Sequence, residues 1–170
     1  MKNRRVFNAG VSYFFTVVTA QRQPLFNNKK AVHLLCDAIR HVMKTHPFTQ
    51  DAFVIMPDHI HCIWSLPEQD TDYRKRWHLI KSWFSEHCEN DSGKTIWQPR
   101  FSEHYLHNDE EYQQHLEYIH YNPVRHGLVS SPIAWQHSSF GHYVLLGLYQ
   151  HNWGSGQLQL PKSVGCEPSQ

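Results

Sequence analysis

No CxxC pair occurs in this chain, and its four cysteines, Cys36, Cys62, Cys88 and Cys166, are scattered. That spacing supports neither a disulfide framework nor a structural zinc knuckle, so the thiols are expected to be reduced and mostly core-filling. No apolar run approaches the ~18 residues that a membrane span requires. Nor does a charged start followed by an apolar stretch and a small-residue cleavage site open the sequence, and the expected location is the cytoplasm. Charge of one sign is also missing: 16 basic against 15 acidic residues leave a net +1, which makes no bulk argument for a nucleic-acid partner. Internal repeats and low-complexity blocks are absent.

What is present is ordinary globular composition, with 40% hydrophobic and 14% aromatic residues in 170, enough for one domain with a real core. The distribution of charge says more than its sum. Lys2, Arg4 and Arg5 open the chain, Arg74, Lys75, Arg76 and Lys81 form a second basic cluster, and acids gather at Asp109, Glu110 and Glu111. Fifteen histidines supply many potential metal ligands, and for the same reason a single histidine is weak evidence of anything.

Residues 11–20, VSYFFTVVTA, are β-branched and aromatic without a breaker and predict a buried strand. Asn27 or Asn28 can cap a following helix in which Ala31, Leu34, Leu35, Ile39, Val42 and Met43 recur at helical spacing. Residues 52–56 and 61–66 predict two strands meeting at a turn around Pro57 and Asp58. A second helix spans 73–88, and 95–107 predicts a fourth strand running into a loop. Asp109 then opens a third helix, favoured by its acidic first turn and ending or bending near Pro123. A short helix is expected over 144–149. The order predicts an α+β fold: an antiparallel four- to five-stranded sheet covered on one face, in the split βαβ arrangement. Residues 1–153 form the expected domain, with 154–170 a flexible C-terminal tail.

Two small constellations carry chemistry. His59 and His61 alternate along a strand, so both side chains leave one face and can converge on one ion, while Ile60 turns to the core. Tyr118 and Asn122 stand four apart and share one helix face. An asparagine carbonyl can ligate a hard cation, and tyrosine is a covalent nucleophile. Each pair alone has a plainer reading: a polar strand face for the histidines, packing for the tyrosine, and a helix end for an asparagine before proline.

Together these residues stand in MPDHIHCIWSLP (56–67) and YIHYNPVRHGLV (118–129), which closely resemble the two signature segments of the single-tyrosine HUH transposase superfamily. The branch they are most similar to is the REP-associated tyrosine transposases. WQPRFSEH (97–104) and GLYQHNW (147–153) resemble segments of that branch as well, so the likeness runs over most of the chain. It implies the ferredoxin-like HUH nuclease fold, His59, His61 and Asn122 as metal ligands, and Tyr118 as the catalytic tyrosine. Tyr121 is the rival for that role, its side chain expected about a third of a turn from the Asn122 face.

The implied activity is cleavage and rejoining of single-stranded DNA at REP-type hairpins through a 5′-phosphotyrosine link. It needs Mg²⁺ or Mn²⁺ and no nucleotide cofactor, and the implied state is a monomer, with a dimer open. Lys2, Arg4, Arg5, Arg74, Lys75, Arg76, Arg100 and Arg125 are candidate DNA contacts, and Trp64, Trp77, Trp83 and Trp97 are expected in the core rather than as base-stacking platforms. Two alternatives are a catalytically idle hairpin-binding module and a zinc hydrolase pairing the histidines with Asp58 or Glu103. The absence of an HExxH-like ligand set argues against the second.

Overall fold

The computed structural model describes residues 11–89, 93–161 and 164. Strand β1 (Ser12–Val18) sends Phe15 and Val17 into one core and Phe14 into another. A strand buried on both faces loses polar–apolar alternation, which is why this segment reads as a continuous apolar run. Helix α1 (Lys29–Thr45) starts at Asn28, whose side chain accepts from the Lys30 amide. After it come β2 (Thr49–Ile55) and β3 (His59–Ser65), joined by the Pro57–Asp58 turn, in which the Met56 amide bonds the His59 carbonyl at 2.8 Å. Then follow α2 (Tyr73–His87), the short β4 (Ser102–Tyr105), α3 (Asp109–Arg125) and α4 (Phe140–Leu145).

Sheet order is β2-β3-β1-β4 with every pair antiparallel, the split βαβ topology expected from the sequence. Helices α1 and α2 cover one face, where the rings of Trp64 and Trp77 stack at 4.3 Å and 16°. Among the described residues no helix is long and apolar enough to cross a membrane.

The other face is covered as well, where the sequence pattern suggested one covered face only. Leu116, Tyr118 and Ile119 of α3 pack against Phe14, Val54, Met56 and Ile63. The reason lies in β1, β2 and β3, which present apolar side chains in both directions and so need two layers. Asn108 caps α3 by accepting from the Glu111 amide at 2.9 Å.

Pro123 does not end α3. It sits in the last turn, where its missing N–H deprives only the Ile119 carbonyl. The stop is Gly127, at φ +71°: its amide bonds Val124 O and the Leu128 amide bonds Pro123 O, the double closure that a left-handed glycine permits. Gly147 closes α4 in the same way, through bonds to Val144 and Tyr143. The helix expected over 144–149 therefore lies earlier, at Phe140–Leu145.

On its far side α3 buries His120 against Phe140, Tyr143 and Tyr149, with Nε2 2.7 Å from Ser139 Oγ. Burial pushes this imidazole down to about 3. An ordinary histidine accepts a proton near pH 6.5, so the unfolded chain takes up this proton first as pH falls. Stability is thus full above that pH and is lost progressively between it and about 3. Thermal melts should decline from neutrality toward about pH 5, and His120→Phe should flatten part of that slope.

Candidate active site

Side-chain alternation puts His59, His61 and Ile63 on the α3 side of β3, while Ile60, Cys62 and Trp64 join the opposite core. His61 lies opposite Thr16 in the β1–β3 register, and Thr16 Oγ1 is 2.8 Å from His61 Nδ1. His59 Nδ1 is 2.7 Å from Asp58 Oδ1. Both proximal ring nitrogens are engaged beside the strand, which leaves the distal Nε2 edges for other partners. The two rings stand 4.7 Å apart, centroid to centroid.

Helix α3 supplies the opposite wall. Tyr118, Asn122 and His126 follow at four-residue spacing and share a face. The Tyr118 ring lies 5.3 Å from that of His61, and the His126 ring 5.7 Å from that of His59. Asn122, between them on the helix, is thereby set opposite the histidine pair. Tyr121 is turned elsewhere, donating to Gly156 O at 3.2 Å and accepting from the Leu158 amide at 3.3 Å.

Asn122 is fully buried, and neither its Oδ1 nor its Nδ2 has a hydrogen-bond partner; the buried Nε2 of His59 has none either. A buried polar group without a partner costs about 1–3 kcal/mol, and these atoms on facing elements are free to take up a ligand. An amide oxygen and an imidazole nitrogen on facing elements suit a divalent cation. Among the described residues no three His, Cys, Asp or Glu side chains gather as a metal cluster.

The Arg22 guanidinium holds Asp58 from its other oxygen, Nε to Oδ2 at 2.8 Å. The hydrogen bond to His59 first, and Arg22 second, keep the Asp58 carboxyl well below the usual carboxylate range despite partial burial. Glu103 does not join the site. It lies opposite Phe15 in the β1–β4 register and binds Tyr73 Oη and Arg74, so it cannot complete a hydrolase centre with the histidines.

The candidate DNA contacts divide. Arg74, Lys75 and Arg100 are at the surface, Arg74 paired with Glu103. Arg125 sets its guanidinium 5.2 Å from the centre of the Tyr118 ring. Arg76 is a correction: at 3% exposure it bonds both Asp70 oxygens and the His46, Pro47 and Asp72 carbonyls, so it ties the start of α2 to the end of α1 and has no access to DNA. Lys2, Arg4 and Arg5 lie outside the described residues. Trp64, Trp77 and Trp97 are buried and Trp83 partly so.

Sequence reasoning passed over Thr16, Arg22 and His126. Thr16 left a trace as one of the few hydroxyls in a mostly apolar run, and His126 left one by its spacing from Asn122. Arg22 left none, because its partner is 36 residues away.

A REP-associated tyrosine transposase of Escherichia coli strain K12 is 41% identical over 150 residues, which span 88% of each chain. The chain belongs to the REP-associated tyrosine transposases. A Haemophilus influenzae relative provisionally assigned to the same group is 35% identical to this transposase over 164 residues, spanning 89% of this chain and 92% of the relative. A solved REP-associated tyrosine transposase bound to a REP hairpin superposes with a TM-score of 0.79 at 36% identity, covering 98% of this chain and 99% of its own. No protein-family model matches the transposase.

Proposed function

We propose that the transposase cleaves and rejoins single-stranded DNA at REP-type hairpins, with Tyr118 as nucleophile and Mg²⁺ or Mn²⁺ held by His59, His61 and Asn122. The observation that carries this reading is the meeting of the β3 histidine pair with Tyr118 and the unpartnered Asn122 amide on one buried face. The hairpin comes from the solved relative, which is bound to one.

Tyr118 Oη attacks the phosphorus at the cleavage site, forming a Tyr–O–P bond as the bond to the 3′ oxygen breaks. One strand end is then a 5′-phosphotyrosine and the other a free 3′-hydroxyl; the proton lost by tyrosine is balanced by the one that the 3′ oxygen gains. Attack by a second 3′-hydroxyl reverses the step and rejoins DNA, so no nucleotide cofactor is needed. A divalent ion held by His59, His61 and Asn122 would supply Lewis-acid polarisation of the scissile phosphate and would offset charge that develops in the transition state. Thr16 and Asp58 hold the two imidazoles in place, and Arg125 sets a positive charge beside the tyrosine. Arg74, Lys75 and Arg100 offer surface charge to the DNA backbone.

That α3 presents Tyr118 to the histidines of its own sheet supports action as a monomer. The test is a labelled single-stranded hairpin oligonucleotide incubated with Mn²⁺ and resolved on a denaturing gel: a protein band carrying label supports the reading. Hairpin binding without such a band would leave a DNA-binding module only.

Substrate must first reach side chains that solvent does not: Tyr118, His61 and Asn122 are all fully buried. The C-terminal segment contributes to this closure, since Leu160 and Val164 pack on the cluster that holds Tyr118, and Tyr121 is bonded to residues 156 and 158. Truncation after Trp153 is expected to raise the initial cleavage rate on the hairpin oligonucleotide. An unchanged rate would remove the shielding role of 154–170.

A further inference from the structure

The chain just after β1 turns through Gln21 and Arg22, two consecutive non-glycine residues in the left-handed region at φ +54° and +52°. Such backbone costs on the order of 1–3 kcal/mol per residue and persists where surrounding contacts over-determine it. Three side-chain and backbone contacts of this turn lead to Asp58. The Thr19 amide and Thr19 Oγ1 both donate to the Asp58 carbonyl, at 2.9 and 3.0 Å, and fix its backbone to the end of β1. Arg22 Nε donates to Asp58 Oδ2 at 2.8 Å, and Asp58 Oδ1 stands 2.7 Å from His59 Nδ1. Arg22 and Asp58 are three-quarters buried, and His59 is 2% exposed.

We propose that Arg22 and Asp58 are positioning residues that lock His59 in the tautomer protonated at Nδ1, so that its Nε2 lone pair faces Asn122 and the ion site. A carboxylate can only accept, so a neutral imidazole beside it must carry its proton on the near nitrogen. The far nitrogen is then an obligate acceptor, the form in which imidazole ligates a metal. Arg22 supplies what Asp58 lacks alone: it fixes the rotation of the carboxylate, so that one oxygen remains aimed at His59. The strained turn is the device that brings Arg22 into reach. The inference rests on the reading of His59 as a metal ligand, and the experiment separates the two.

Long-range ¹H–¹⁵N spectra of the metal-free transposase, recorded where its imidazoles are neutral and assigned against His59→Gln, report the His59 tautomer directly. The wild type should show the Nδ1-protonated form. Asp58→Ala should populate the Nε2-protonated form and weaken Mn²⁺ binding by ~10–100-fold, measured by calorimetry without DNA. Asp58→Asn, which offers an amide donor as well as an acceptor, should give a mixed population. A wild-type His59 protonated at Nε2, which needs no variant to observe, overturns the proposal. So does an Asp58→Ala protein with unchanged tautomer and unchanged Mn²⁺ affinity. If instead His59→Gln itself leaves Mn²⁺ affinity unchanged, the metal-ligand reading fails, and the tautomer spectrum still decides the positioning role.

Discussion

Tyr118→Phe is expected to abolish the covalent protein–DNA adduct, a loss of ~10⁴-fold or more in strand cleavage if tyrosine is the nucleophile, while leaving hairpin affinity within about twofold. The substitution is conservative where it matters for folding. The ring is buried against Phe14 and His61 and beneath Arg125, and phenylalanine keeps all of that contact. Only the oxygen is removed, so an inactive Tyr118→Phe protein that melts like the wild type cannot owe its inactivity to misfolding. Tyr121→Phe is the matched control three residues on. It should lose its bonds to Gly156 and Leu158 and loosen the C-terminal segment, yet still form adduct. Adduct retained in Tyr118→Phe and lost in Tyr121→Phe would move the nucleophile to the other tyrosine and undo the register of the whole site.

The sequence carries the site to the extent that its chemistry is periodic. His59 and His61 are legible as a pair because a strand repeats every two residues, and Tyr118 with Asn122 because a helix repeats about every four. Local order then suffices to predict which side chains emerge together. What sets those side chains in their working orientation was not legible, because it comes from across the fold. Asp58 reads as a turn residue or a spare carboxylate until Arg22 arrives from a left-handed turn after β1.

Arg76 shows the same limit from the opposite direction. Three successive cations in Arg74, Lys75 and Arg76 suggest one exposed basic patch, but a helix turns each by about 100°, so the third faces inward onto Asp70 and the carbonyls that end α1. The second covered face of the sheet was hidden for a related reason. Whether an apolar run is buried on one side or two depends on which helix later returns to it.

Loss of either β3 histidine is expected to have the other large effect. His59→Ala and His61→Ala should each lower cleavage by ~10³-fold, since electrophilic stabilisation worth several kcal/mol is at stake and about 1.4 kcal/mol is a factor of ten. Both histidines are buried, so hairpin affinity is expected to survive in both variants. A second readout is independent of cleavage. An ion that binds only the folded state raises stability with its concentration, so Mn²⁺ should raise the melting temperature of the wild type and not of the variants.

Asn122 then discriminates between a true ligand and a buried amide of some other use. Asn122→Asp replaces a neutral oxygen donor with a charged one of nearly the same shape. On a cation site that change should strengthen Mn²⁺ binding and enlarge the thermal shift, whereas without added metal it leaves a buried carboxylate unpaired and should lower the melting temperature. Opposite signs with and without the ion are what ligation requires. A loss of stability that Mn²⁺ does not reverse would mean that Asn122 does not face the ion, and the metal would have to be held by the histidines and substrate alone.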